Sequence, residues 1–223
     1  MSGLIQKISD SHLSSDVDTD LIKILELNEL IRRNPEMQDR FWRKMIKILK
    51  SYPPAKNENK FLYGKIGEIS FINDIIKKLF PESVELDEAV SMGSCYMNDV
   101  SVRDKGYKLD LSIKITKNIS SIILINKNSS LPDDKYNIMD CCVILINIKL
   151  MSIFILPISI VKEYLKYTGP NIKLRSAVWK YILKNHPEFI CKFHMTRVEL
   201  EKKYPELQEI NEKKIYEKLY SEL

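Results

Sequence analysis

"YKLDLSIKIT", residues 107–116, alternates apolar and polar residues without a slip. Tyr107, Leu109, Leu111, Ile113 and Ile115 share one face of a β-strand; Lys108, Asp110, Ser112, Lys114 and Thr116 share the other. A polar row of this kind is either a wet surface or the wall of a site. The neighbouring segments bear on the choice. "SSIILINKNSS" and "DCCVILINIKLMSIFILPI" carry continuous apolar runs, which need cover on both sheet faces. A strand among such neighbours is central and covered, so an acid, a hydroxyl and a lysine on one of its faces point to a cleft.

Working outward, Lys105-Gly106 reads as the turn of a hairpin whose first strand follows Asn98 and Asp99. Upstream are three helical patterns. "DVDTDLIKILELNELIRRN" has apolar residues at 21, 24, 25, 27, 30 and 31 and ends before Pro35; "EMQDRFWRKMIKILKSY" is stopped by Pro53-Pro54; "FLYGKIGEISFINDIIKKLF" ends before Pro81. Downstream of Ser159 the chain reads as helical throughout: "ISIVKEYLKYT", "LRSAVWKYILKNHP" and a charged tail. The segment from residue 141 has Asn147 and Lys149 at its middle, which suits two strands and a turn better than a membrane span. These elements predict an α/β fold with a central mixed β-sheet of about five strands flanked by helices. They divide into a helical segment over 1–60, an α/β core over 61–160 and a helical segment over 161–223, in one compact unit.

Composition excludes several classes. With 44% hydrophobic and 29% charged residues, 6 Gly and 9 Pro in 223 residues, the chain is ordinary globular protein without a long linker. Cys95, Cys141, Cys142 and Cys191 show no CxxC and no zinc-ligand spacing; Cys141-Cys142 reads as small core residues. His186 and His194 flank Cys191 with no further ligand near. No phosphate-binding Gly-rich loop, GxSxG or HExxH is present. The N-terminus lacks a signal-peptide apolar region, so the expected location is intracellular: cytoplasmic, or nuclear for a eukaryotic or viral source. The net charge of +5 suits a polyanionic partner.

On the third helix, a constant 100° per residue puts Ile69, Phe71, Ile72, Ile75, Ile76 and Leu79 on one half of the circumference, with Glu68 inside that arc. An inward carboxylate needs a partner, either a basic side chain or a metal. Among the C-terminal helices, Lys173, Arg175, Lys180 and Lys184 are interleaved with Tyr164, Tyr167, Trp179 and Tyr181. They form a candidate nucleic-acid surface, or a basic helix that packs by its aromatic stripe.

An inward Glu68, then Asp99, then "YKLDLSIKIT", then "IILIN" resembles the PD-(D/E)xK, restriction-endonuclease-like nuclease superfamily over roughly residues 62–157. The resemblance implies a Mg²⁺- or Mn²⁺-dependent DNA endonuclease of restriction, viral or mobile-element type, with many relatives dimeric. Glu68, Asp99 and Asp110 would be metal ligands and Lys114 the charge-stabilising lysine. The pattern departs from the family in two places. No Pro precedes Asp99, and Ser112 stands where an acid is expected two residues before Lys114; Asp110, on the same face, is the carboxylate available in its place. A second register takes Asp110 as the first acid and Ile125-Asn126-Lys127 as the second half. The alternatives are a catalytically inactive nuclease-fold protein acting as a nucleic-acid-binding or protein-interaction module, and an unrelated α/β interaction protein.

Overall fold

The computed structural model describes residues 15–51, 57–81, 84–86, 100–104, 107–126, 142–168 and 171–208. Two long helices open the chain. Helix α1 (Ser15–Arg32) buries Ile24, Leu27 and Ile31. Helix α2 (Pro35–Ser51) starts with Pro at its first position, where the missing N–H costs nothing, and buries Phe41, Trp42, Met45, Ile46, Ile48 and Leu49. Helix α3 (Asn57–Phe71) runs on through a π turn (Ile72–Ile76) into a last helical turn (Lys77–Leu79). In the π turn the Lys77 N–H reaches back to the Ile72 carbonyl.

The strands are β1 (Val84–Leu86), β2 (Val100–Asp104), β3 (Tyr107–Thr116), β4 (Ile122–Asn126), β5 (Cys142–Asn147), β6 (Ser152–Pro157), β7 (Leu165–Thr168), β8 (Asn171–Leu174) and β9 (Ile190–Lys192). Among the described residues the main sheet has six strands in the order β1-β2-β3-β5-β6-β9. Only β3 and β5 run parallel; every other neighbouring pair is antiparallel. A parallel step needs a crossover, and here the chain leaves the sheet to form β4 before returning as β5. The expected mixed, helix-flanked sheet is present, with one strand more than anticipated. Strands β5 and β6 meet at a turn over residues 148–151, as the Asn147–Lys149 reading requires; Met151 there takes a positive φ of 45°. Among the described residues no helix is long and apolar enough to cross a membrane.

The pairing register sorts side chains into two faces. Ile113, Ile144 and Ile155 form one row, and Ile115, Ile146, Ile153 and Cys191 the next on that face. The N-terminal helices cover these rows: Gly67 of α3 sits against Ile115, and Gln38 of α2 accepts the Cys191 thiol at 3.6 Å. On the other face lie Ser112, Val143 and Leu156, then Lys114, Leu145 and Phe154. Helix α4 (Ala177–Asn185) covers that side. Its Trp179 meets Phe154 edge-on at 5.0 Å and donates its indole N–H to the Ser120 carbonyl at 2.9 Å.

The C-terminal third differs from its helical reading. Residues 158–164 are a 3₁₀ segment broken at Val161, and Leu165–Thr168 and Asn171–Leu174 are strands. With β4 they form a second sheet, in the order β4-β8-β7. The reason is local. Gly169-Pro170, a turn-type dipeptide, separates two four-residue segments too short to tell helix from strand by periodicity, and pairing buries Ile172 and Leu174. "HPEFICKFH" is likewise a 3₁₀ turn followed by the edge strand β9. Helix α4 lies within the expected "LRSAVWKYILKNHP", and helix α5 (Arg197–Lys203) begins the tail with a capping box between Thr196 and Glu199.

Candidate active site on strand β3

Strand β3 lies between β2 and β5, so its polar row is interior to the sheet. Asp110 pairs with Ser101 of β2, and Ser112 and Lys114 pair with Val143 and Leu145 of β5. Ser112 is only 3% exposed, and Lys114 is half-buried. At the end of the strand the Thr116 hydroxyl bonds the Asn118 carbonyl at 2.9 Å, and the Asn147 amide donates to the same carbonyl at 3.2 Å. These contacts hold the polar row in register across β3 and β5. Asp99, and the side chain of Asp110, lie outside the described residues.

Glu68 occupies α3 with its side chain 16% exposed and its carboxylate 3.9 Å from the Lys65 ammonium. It is largely covered, and the basic side chain nearby is the simpler of the two partners expected. Glu68, Ser112 and Lys114 each have further interaction partners. The apolar arc drawn around Glu68 needs correction, because Ile69 is 43% exposed while Ser70 and Phe71 are buried. A π turn carries an extra residue, so the phase that fits Ile72, Ile75 and Ile76 does not extend back through it to Ile69.

A second correction concerns which face of β3 meets this helix. With Glu68 and Asp110 as ligands of one metal, the resemblance requires Asp110, Ser112 and Lys114 to face α3. Instead, a Cβ placed on Gly67 would lie 2.2 Å from Ile115 Cδ1, so the apolar row faces α3. Alternation puts Ser112 and Lys114 on the opposite face, toward α4. The sheet therefore stands between the Glu68 helix and the Ser112–Lys114 row.

The two motif registers also separate. Ile125 and Asn126 lie at the end of β4, in the small sheet, where Asn126 pairs with Asn171; Lys127 is outside the described residues. The second register would put Asp110 in the main sheet and Ile125-Asn126 in the small one. The first keeps Asp110, Ser112 and Lys114 on one strand, hairpinned to the strand that follows Asp99.

For a divalent cation the donors must be oxygens on one side of the sheet. Ser112 supplies a neutral oxygen, and Glu68 comes from the other side. A fit therefore depends on Asp99 and Asp110; no group of three potential ligands occurs among the described residues. Burial pushes the Cys191 thiol up to about 12, against the pull of Arg32, so it stays protonated and is a poor nucleophile or ligand. His186 is engaged at both ring nitrogens, at 3.1 Å to Glu188 and 3.1 Å to the Tyr181 hydroxyl.

The residues of the second candidate surface divide among several elements, with Tyr167 of β7 65% exposed and Tyr181 of α4 half-buried. Trp179 is 1% exposed and packs inward, while Lys180 and Lys184 remain on the outer side of α4. Lys173 is half-buried on β8, and Arg175 is exposed but donates to the Glu163 carbonyl. A further basic groove, formed by α2, β9 and α5, has no local sequence signal, because its residues lie more than 150 positions apart. Comparison of the chain with protein-family models, curated proteins and solved structures returns no match.

Proposed function

We propose that this chain is a metal-dependent nuclease acting on DNA phosphodiester bonds. The observation that carries the reading is the spacing of Asp110, Ser112 and Lys114 at alternate positions of an interior strand that pairs antiparallel with β2 and parallel with β5. That arrangement follows the order of elements on which the resemblance to the PD-(D/E)xK superfamily rests. Asp99 and Asp110 would hold the cation, which supplies electrostatic neutralisation at the scissile phosphate when bound. Lys114 holds a positive charge on a half-covered face, where it acts more strongly than in water.

Purified protein should nick plasmid DNA with Mg²⁺ or Mn²⁺ and lose that activity with chelator. Lys114→Ala should lower cleavage about 10²-fold or more, the scale of one preorganised electrostatic partner, with little change in folding. Asp99→Ala and Asp110→Ala should lose activity, partly restored by added Mn²⁺.

One observation favours a second reading, a nuclease-fold binding module without catalysis. Ser112 stands where the resemblance calls for an acid, and it is buried beside Val143 and Leu156. Ser112→Glu separates the two. In an active enzyme it should raise metal affinity. If both wild type and a folded Ser112→Glu protein cut nothing with any metal, the binding module replaces the nuclease.

A further inference from the structure

Outside the β3 row, three chain segments build an open groove of about 540 Å³. They are the first turns of α2, the loop after β9 and the end of α5. A smaller hollow of about 220 Å³ adjoins it, and Pro35 and His194 line both, so the two form one trough. Arg40 and Arg43 stand one turn apart on α2; Lys192 comes from β9 and Lys203 from the last turn of α5.

The acids in the trough do not cancel this charge. Asp39, 14% exposed, is committed to Lys203 at 3.3 Å and to the Tyr204 hydroxyl. That bond fixes the Tyr204 ring, and the Arg43 guanidinium carbon lies 4.6 Å from its centroid. A guanidinium held against an aromatic ring keeps N–H edges for a second partner. Among the described residues Arg40, Arg43 and Lys192 have no ion-pair partner. Glu36 is the other carboxylate of the groove and, at the start of α2, sits where the helix dipole favours a negative charge.

We infer that this trough binds the phosphodiester backbone of a nucleic acid. An enclosed pocket would suit a small anion; an open trough with unneutralised, mostly exposed cations along it suits a chain of phosphates. Arg43 is the residue pre-set for a forked contact, and Arg40, Lys192 and His194 extend the track. The choice of nucleic acid over an acidic peptide rests on the nuclease-like reading of the β2–β3 hairpin; the charge of the groove does not.

The test uses the full chain, labelled single-stranded and duplex oligonucleotides, and chelator throughout, so that binding is read without cleavage. Arg40→Glu combined with Lys192→Glu should weaken binding about tenfold or more and flatten the dependence of log affinity on log salt. Near-ultraviolet circular dichroism and thermal unfolding should remain as in wild type. Lys180→Glu combined with Lys184→Glu serves as the comparison on α4. Three results overturn the inference: no binding by wild type at low salt, unchanged affinity and salt slope in the folded Arg40/Lys192 variant, or displacement by polyglutamate as effective as displacement by unlabelled DNA. The last would make the groove a site for acidic protein. Absence of cleavage by the wild type in the separate plasmid assay with Mg²⁺ or Mn²⁺, with binding at the groove intact, would sink the nuclease reading alone.

Discussion

The two faces of the main sheet are closed in different ways. On the helix side Leu111, Ile113 and Ile115 of β3, Cys142, Ile144 and Ile146 of β5, and Ile153 and Ile155 of β6 face α2 and α3, and α3 approaches Ile115 through a missing side chain, Gly67. A glycine inside a helix is unfavourable by about 1 kcal/mol relative to alanine, so its presence signals a packing need. On the other side, two rows set Ser112 beside Val143 and Leu156, and Lys114 beside Leu145 and Phe154, and the cover is a short helix anchored by Trp179. The first face is a sealed core. The second is covered yet carries polar groups at one edge, and this is where a site can exist without opening the core.

The largest effects should come from charges forced into either face. Ile155→Asp on the helix side and Val143→Asp on the other should each cost about 4 kcal/mol or more in urea unfolding, as an unpaired carboxylate displaces buried aliphatic surface. If Val143→Asp were nearly as stable as wild type, the second face would be wet and the contrast would fail.

Next comes the cover of the polar-edged face. Trp179→Ala should cost roughly 3–5 kcal/mol through the cavity beside Phe154. Trp179→Phe should cost about 1–2 kcal/mol, because the Ser120 carbonyl loses its donor. Equal losses in the two variants would mean that the indole hydrogen bond, not packing, closes this side.

The Gly67 contact gives a sharper test of which face α3 covers. Gly67→Ala should destabilise by about 1–3 kcal/mol through overpacking against Ile115 Cδ1 and, less closely, Met45 Cε at 3.1 Å. Ile115→Val removes the offending methyl, so in that background Gly67→Ala should become neutral or mildly stabilising. Purely additive effects in this double-mutant cycle would show that the apolar row does not face the helix.

The smallest effect concerns α5, which ties to α2 through Lys50 and Glu201 at 3.3 Å. Thr196→Ala should cost about 1 kcal/mol by uncapping the helix. The Glu199 carboxyl is held low by its bonds to the Thr196 backbone and hydroxyl. A depressed carboxyl contributes stability above its unfolded pKa and loses it as pH falls through the folded one. Thermal midpoints taken down through about pH 5 to 3 should therefore fall less steeply in Thr196→Ala than in wild type. Parallel curves would remove the capping box from the acid response.

Alternation over residues 107–116, the Pro breaks that bound α1 and α3, and the turn near Asn147–Lys149 were all legible in the sequence. They depend on neighbours within a few positions, where periodicity and backbone chemistry act directly. The extent to which Glu68 is covered was not legible in that way, because the arc drawn around it also took in Ile69, which is exposed. The strands β7 and β8 were not legible either, because four-residue segments become strands only when a partner buries their apolar side chains. Nor could the sequence say which face of β3 meets α3. That choice was made by the fit of Ile115 into the space above Gly67, across 48 residues of chain, and it put the sheet between Glu68 and Lys114. The groove of Arg40, Lys192 and Lys203 is the extreme case, since side chains on α2, β9 and α5 become neighbours only when the helices close over the sheet.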